Sequence, residues 1–100
     1  MKSELDILND RQVEQIVFVK DYFQICFDHQ YTLSIFNNYS SNIHVSCFCD
    51  RIVSKVEVRD EFVKIVFGNY YICIDLSSNA YYGPEAFVLH GPNDKIIVCN

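Results

Sequence analysis

The chain has 100 residues, of which 13 are acidic and 8 are basic, so its formal net charge is −5, and half of its residues are apolar. Glycine and proline are few, which excludes disordered and collagen-like chains, and the length predicts one domain spanning residues 1–100. Nucleic-acid binding requires clustered lysine and arginine, whereas the basic residues here are scattered. We therefore expect no nucleic-acid partner, while a basic protein partner suits the charge.

The beginning of the chain, MKSELDILND, predicts neither export nor membrane insertion. It lacks the apolar run of a signal peptide, and no stretch is long and apolar enough to span a membrane. We therefore expect a cytoplasmic protein with no membrane partner. In a reducing compartment the five cysteines are expected to be free thiols that act as small apolar side chains. Residues 3–15 are open to a short helix or turn, with Ser3 as its cap.

Alternating apolar and polar residues dominate the rest of the chain and predict short β-strands. The pattern is typical of an all-β domain, an antiparallel β-sandwich or flattened barrel of about eight short strands. The segments that carry the alternation are residues 12–19, 22–27, 31–36, 43–48, 53–58, 62–67, 70–76, 86–90 and 95–99.

The connections between these segments carry recognisable turn signals. Residues 37–42, NNYSSN, are polar and predict a loop, and residues 68–69, Gly-Asn, suit a two-residue hairpin turn because both tolerate positive φ. A long connection follows residue 76, with a helical turn beginning at Pro84 as one interpretation. Residues 86–90 and 95–99 are expected to pair and to complete a sheet.

A faint internal repeat relates residues 17–36 to residues 56–75, at an offset of 39 positions. Phe23 then matches Phe62, and both copies show a strand, a charged turn, a strand, a turn and a strand. Two such meanders, each with one apolar face, would pack face to face, which favours a sandwich or flattened barrel over an open sheet. Chance similarity between two β-meanders is the alternative, and the sandwich does not depend on the repeat.

One group of residues has the composition of a metal site. His44, Cys47, Cys49 and Asp50 lie close in sequence, and a strand over residues 43–48 would place Cys47 on the same face as Ile43 and Val45. The two cysteines would share one strand face. A structural zinc site needs a second pair of ligands at regular spacing, and none is present. We therefore expect strand cysteines and no metal.

Motifs for catalysis are missing as well. No phosphate-binding loop, dinucleotide fingerprint or nucleophile elbow occurs, and the three histidines lie in or beside strand patterns. Glu57, Asp60 and Glu61 cluster near a turn, where a solvated hairpin end is the common explanation and a pair of catalytic carboxylates the rarer one. We therefore expect a protein that is not an enzyme and that binds no cofactor.

The remaining candidates form a partner-binding surface. Tyrosine gives large contact area at low entropic cost, and carboxylates select partners by charge. The outward face of residues 70–76 and the long connection combine both, with the charged turn as an alternative; covering the open end of the core is the structural explanation of the same tyrosines. The candidate residues are Tyr71, Asp75, Tyr81, Tyr82 and Glu85, with Glu57, Asp60 and Glu61 as the alternative cluster.

Two stretches of the second half, YYGPEAFVLHGPNDKIIVCN and VEVRDEFVKIVFGNYYICIDLS, resemble a family of small bacterial β-proteins. Members of this kind occur among the immunity proteins of contact-dependent growth inhibition and related polymorphic toxin systems. The resemblance covers residues 53–100 and, loosely, 8–36. Many members carry an aromatic residue such as tryptophan before the final position, where this chain has Cys99, and the shared motifs are structural.

The resemblance implies a cytoplasmic inhibitor that binds one cognate toxin domain, often a nuclease, and occludes its active site. The acidic balance of this chain is compatible with such a partner, because nucleases tend to be basic. Two rivals stay open: a small non-enzymatic β-domain that binds another protein or ligand, and a β-barrel enzyme with a buried cysteine or carboxylate.

Overall fold

The chain folds into short antiparallel strands, and the computed structural model describes residues 4–76, 86–92 and 96–99. Within that part of the chain there are nine strands and three short 3₁₀ turns. The strands are β1 Val13–Val19, β2 Tyr22–Phe27, β3 Thr32–Ile35, β4 Tyr39–Ser41, β5 Lys55–Val58, β6 Phe62–Phe67, β7 Tyr70–Asp75, β8 Phe87–His90 and β9 Ile96–Cys99. The 3₁₀ turns are η1 Glu4–Leu8, η2 Asp28–Gln30 and η3 Val45–Phe48.

Two sheets enclose one buried core. The first sheet has the strand order β1-β2-β3-β8-β9, and the second has the order β4-β7-β6-β5. The inward-facing residues of both sheets belong to a single apolar cluster. The prediction of an all-β sandwich is confirmed, because each sheet buries one face and exposes the other. The largest fully buried side chains are Phe27, Phe48, Leu8, Ile25, Leu33, Ile35, Ile65, Ile72, Ile74 and Leu89.

The alternation places the strand residues as predicted. In β2, Phe23, Ile25 and Phe27 are buried, and the residues between them are half-buried. The final hairpin also forms, since β8 and β9 pair in antiparallel register. The turn between β6 and β7 has two residues, and of these only Gly68 has a positive φ, +70°.

The prediction of a strand over residues 43–48 is wrong. The segment forms η3, in which Val45 and Phe48 are buried three positions apart, and this is the 3₁₀ repeat and not the repeat of a strand. His44 caps the turn, because its Nδ1 accepts the backbone N–H of Ser46 at 3.2 Å. Cys47 is consequently exposed, whereas Val45, which the predicted strand placed on the same face, is buried.

The loop predicted over residues 37–42 contains a strand instead. β4 lies at the edge of the second sheet and pairs with β7. A three-residue edge strand shows no apolar alternation, so the polar sequence concealed it. The helix or turn considered for residues 3–15 is limited to η1, and the helical turn considered at Pro84 lies outside the described residues.

The two halves of the chain fold alike. Residues 5–27 correspond to residues 45–67, 40 positions later and without a gap, through a 3₁₀ turn, a strand, a turn and a strand. β2 and β6 have the same alternation of burial, and Phe27 corresponds to Phe67. The predicted repeat is therefore present in the fold.

Its offset needs correction. An offset of 39 matched Phe23 to Phe62, but the first is buried and the second is half-buried, so this alignment exchanges the two sheet faces. An offset of 39 holds only from β3 and β7 onward. The reason is the connection before them: Asp28–Gln30 has three residues where Gly68 and Asn69 suffice in the second half.

Reciprocal backbone hydrogen bonds join the halves at one corner. The N–H of Asp10 donates to the carbonyl of Val53 at 2.9 Å, and the N–H of Asp50 donates to the carbonyl of Val13 at 2.8 Å. Both aspartates have left-handed backbones, with φ of +68° and +70°. These bonds attach the start of β1 to the segment that enters β5, and they close this corner as in a flattened barrel.

Each half also gives one strand to the opposite sheet. β4 follows β3 in the chain but pairs with β7, and β8 follows β7 but pairs with β3. The registers correspond, because Tyr39 lies opposite Ile74 as Phe87 lies opposite Ile35. Beyond β8 the first sheet continues into β9, whereas in the second sheet no described strand lies beyond β4.

Candidate functional site

The outer face of the second sheet carries the polar residues of its four strands. Val63, Ile65 and Phe67 of β6 point into the core, so the residues between them face outward. The same alternation holds for β7. The outward residues of the sheet are Ser40, Lys55, Glu57, Phe62, Lys64, Val66, Tyr71, Cys73 and Asp75.

The structure places residues of both alternative clusters on this one face. Tyr71 and Asp75 are half-buried on β7, and Glu57 is half-buried on β5. Lys64 of β6 lies between them, because it pairs with Glu57 across one ladder and its Nζ is 4.8 Å from the centroid of the Tyr71 ring. Across the face, from β7 to β5, the side chains of Tyr71, Lys64 and Glu57 therefore follow one another.

Glu57 is held in its ionised form by a neighbour on its own strand. The Nζ of Lys55 is 3.0 Å from Oε1 of Glu57. The hydrogen bond from Lys55, and then its charge, hold the pKa of Glu57 below its ordinary value. The negative charge of Glu57 is therefore partly matched within the sheet.

An acidic groove of about 250 Å³ opens at the end of this face where β7 ends. Glu61 reaches it from the turn between β5 and β6, and Asp75 reaches it from β7. Two carboxylates beside the outward-facing Phe62 suit a lysine or arginine side chain. The residues that line the acidic groove are Asn38, Tyr39, Ser40, Glu61, Phe62, Cys73 and Asp75.

Backbone and amide hydrogen bonds hold the walls of the groove. The N–H of Leu76 donates to the carbonyl of Glu61 at 2.8 Å, which ties the charged turn to the end of β7. Nδ2 of the buried Asn37 donates to the carbonyl of Asp75 at 2.8 Å, and the N–H of Asp75 donates to the carbonyl of Asn38 at 2.9 Å. These hydrogen bonds therefore fix the backbone that carries the carboxylates of Glu61 and Asp75.

The remaining predicted residues fall elsewhere. Asp60 is exposed in the charged turn and does not line the groove. Tyr81, Tyr82 and Glu85 lie outside the described residues. Of the eight predicted residues, the acidic groove thus unites one from each cluster, Glu61 and Asp75.

Sequence reasoning missed three participants of this surface. Lys64 and Phe62 alternate outward in the segment FVKIVF, and this signal was sufficient to place them on the face. Tyr39 had no such signal, because β4 reads as a polar loop. Its ring packs at 4.7 Å from the ring of Phe23, which anchors the edge strand to the core.

The thiols differ from the expectation of small apolar side chains. None of the four cysteines whose side chains the structure describes is buried: Cys47 and Cys49 are exposed, and Cys26 and Cys73 are half-buried. Desolvation raises the pKa of the Cys73 thiol, with Lys64 opposing and Asp75 reinforcing the shift. A catalytic thiolate needs the opposite shift, so Cys73 is not activated as a nucleophile.

The described residues contain neither a metal-type cluster nor a membrane-type helix. No group of three or more histidine, cysteine, aspartate or glutamate side chains among them is placed to hold a metal ion. Likewise, no helix in the described part of the chain has the length and apolar character needed to cross a membrane.

Comparison with known proteins identified no relative of this chain. No protein-family model, no curated protein and no solved structure matches this chain. A function for the acidic groove is accordingly argued from its own residues and from the fold that positions them.

Proposed function

We propose that this chain is an immunity protein, which binds and neutralises one cognate toxin domain by occluding its active site. The observation that carries the proposal is the acidic groove, where Glu61 and Asp75 lie beside Tyr39 and Phe62. Such a groove offers a basic side chain both charge and an aromatic surface. The resemblance of the second half to immunity proteins points to the same role.

Charge supports a basic partner, and a nuclease in particular. An enzyme that acts on nucleic acid lines its active site with lysine and arginine, because it must bind phosphates. A protein with a net charge of −5 attracts such a surface from a distance, and paired charges then fix the orientation. The inhibitor acts in this scheme by stoichiometric binding, without cofactor or catalysis, in the cytoplasm of the protected bacterium.

The rival proposal is a small β-domain that uses the same groove for another protein or ligand, without any toxin. Gene position separates the two, since an immunity gene directly follows a large toxin gene. Under the rival proposal, the upstream gene would encode no toxin-like domain, or its product would not bind.

The test is a pull-down with the C-terminal domain encoded immediately upstream, followed by calorimetric titration at low and moderate salt. We expect one-to-one binding that weakens as salt increases, together with loss of the domain's toxic activity in the complex. Absence of binding, or binding that leaves toxic activity intact, would refute the immunity proposal.

A charge reversal with a matched control locates the interface. Glu61→Lys should slow association about tenfold or more and reduce the salt dependence, because the groove loses a carboxylate. Asp21→Lys is the control, since Asp21 is exposed at the equivalent turn of the first half and lies outside the groove. Equal effects of both variants would show that net charge, and not the groove, governs binding.

A further inference from the structure

Among the described residues, the second sheet has one strand fewer than the first. The halves are related strand by strand, and β8, the counterpart of β4, pairs with β9 on its far side. No described strand occupies the corresponding place beyond β4. The first sheet therefore has five strands and the second has four, and the difference falls at one edge.

Hydrogen bonding along β4 directs backbone groups toward this edge. The N–H of Asp75 bonds to the carbonyl of Asn38, and in an antiparallel ladder the bonded positions alternate. Ser40 therefore faces β7 with its backbone groups, whereas Tyr39 and Ser41 direct theirs away from it. Their counterparts in β8 are Phe87 and Leu89. The N–H of Phe36 donates to the carbonyl of Ala86, so by the same alternation these two residues direct their backbone groups toward β9.

We propose that the far edge of β4 binds an extended segment of a partner protein as an added fifth strand. Main-chain hydrogen bonds to Tyr39 and Ser41 would supply the pairing, as in other strand additions. The segment carries a lysine or arginine whose side chain enters the acidic groove, because the groove borders β4 on the outer face. The kind of partner rests on the proposed function, but the mode of binding rests on the fold alone.

Charge selects this occupant over a second copy of the chain. Two copies paired edge to edge would each bring a net charge of −5, with Glu61 and Asp75 of the same groove near the joint. β4 is also only three residues long, which limits self-pairing between exposed edges. A basic extended segment avoids this charge repulsion, and its basic side chain in the groove adds a contact that the short edge alone does not supply.

The test uses ¹⁵N-labelled protein and an acetylated, amidated six-residue peptide that alternates lysine and valine. We expect saturable shift changes at the amides of Tyr39 and Ser41 and near Glu61. The same peptide with N-methylated backbone, which has lost its donors, should bind at least tenfold more weakly. A glutamate–valine peptide should also bind at least tenfold more weakly, because it repels the groove.

A proline substitution at Ser41 tests whether the backbone at the far edge of β4 binds the peptide. Ser41→Pro removes one outward N–H without removing a ladder bond to β7, and proline is tolerated at such edge positions. It should weaken peptide binding at least tenfold. Ser41→Ala is the matched control: it keeps the N–H and loses only the bond from the Ser41 hydroxyl to the carbonyl of Ile43, so peptide affinity should stay the same.

Three outcomes would overturn the inference: shift changes confined to another edge, no saturable binding at about 1 mM peptide, or equal affinities of the proline and alanine variants. Peptide binding does not involve the toxin, so the two proposals fail separately. Binding at β4 without binding of the upstream domain would leave the edge site and remove the immunity role. The reverse result would keep the immunity role and remove strand addition.

Discussion

Lys55 and Lys64 place positive charge beside Glu57 on the outer face of the second sheet. The first holds Glu57 by a direct contact, and the second lies between Glu57 and the Tyr71 ring. Glu61 has neither lysine as its ladder partner, and it lines the groove. The outer face of the sheet thus contains an internally matched acid, Glu57, whereas Glu61 lines the groove at its end.

This pairing predicts a pH dependence of stability. The pKa of Glu57 is lowered in the folded state, so its contribution is present above the unfolded-state pKa of about 4.3 and is lost as the pH falls through the folded-state value. Denaturant unfolding from pH 7 to pH 3 should therefore show the difference between wild type and Glu57→Gln shrinking in acid. Lys55→Gln should remove most of that pH dependence, and a difference that grows on acidification would contradict the assignment.

A second prediction at this scale concerns the aromatic core. Phe48 is fully buried and its ring lies 4.7 Å from that of Phe67, so Phe48→Ala should lower the free energy of unfolding by about 3–5 kcal/mol. Phe18 is 58% exposed and serves as the control, with an expected loss of about 1 kcal/mol or less for Phe18→Ala. Equal losses in urea unfolding would show that η3 does not pack into the core as described.

Among the elements, the turn between β6 and β7 depends most directly on one residue type. Gly68 has a φ of +70°, and a Cβ placed there would meet no atom within 4 Å. Gly68→Ala should therefore cost about 1–2 kcal/mol from backbone strain alone. Gly68→Asn should cost less, because asparagine tolerates the left-handed conformation. Urea midpoints compare the two, and an alanine variant as stable as wild type would refute the strain.

Elements with strong alternation could be predicted from the sequence, and elements fixed by tertiary contacts could not. β2, β6 and β7 follow from their apolar periodicity. The segment containing Val45 and Phe48 also alternates, but two large residues three positions apart bury together in a 3₁₀ turn. β4 has no periodicity, because an exposed edge strand needs little apolar surface.

The candidate site shows the same division. Tyr71 and Asp75 could be assigned to an outward face from alternation alone. Their proximity to Glu57 could not, because it depends on the strand order β7-β6-β5. Glu61 and Asp75 could not be joined from sequence, because a backbone hydrogen bond between the charged turn and the end of β7 brings them together. Long-range pairing thus determines which outward residues form the groove.

For the whole molecule, the exchange of strands between halves predicts one cooperative unfolding transition. Each sheet contains a strand from the other half, and both sheets share one core, so neither half keeps its fold when the other opens. Far-ultraviolet circular dichroism, which reports strands, and near-ultraviolet signals of the tyrosines should give the same urea midpoint. Two separate midpoints would mean that the halves unfold independently.

The same exchange constrains how the protein is made on the ribosome. β3 needs β8 as its neighbour, and β4 needs β7, so neither sheet is complete when the first half has left the exit tunnel. Until then the nascent chain exposes unpaired strand edges and apolar faces, which are the surfaces that chaperones bind. Folding must await synthesis of the second half, and a stalled or truncated chain ending before β7 would be prone to aggregate or to be degraded.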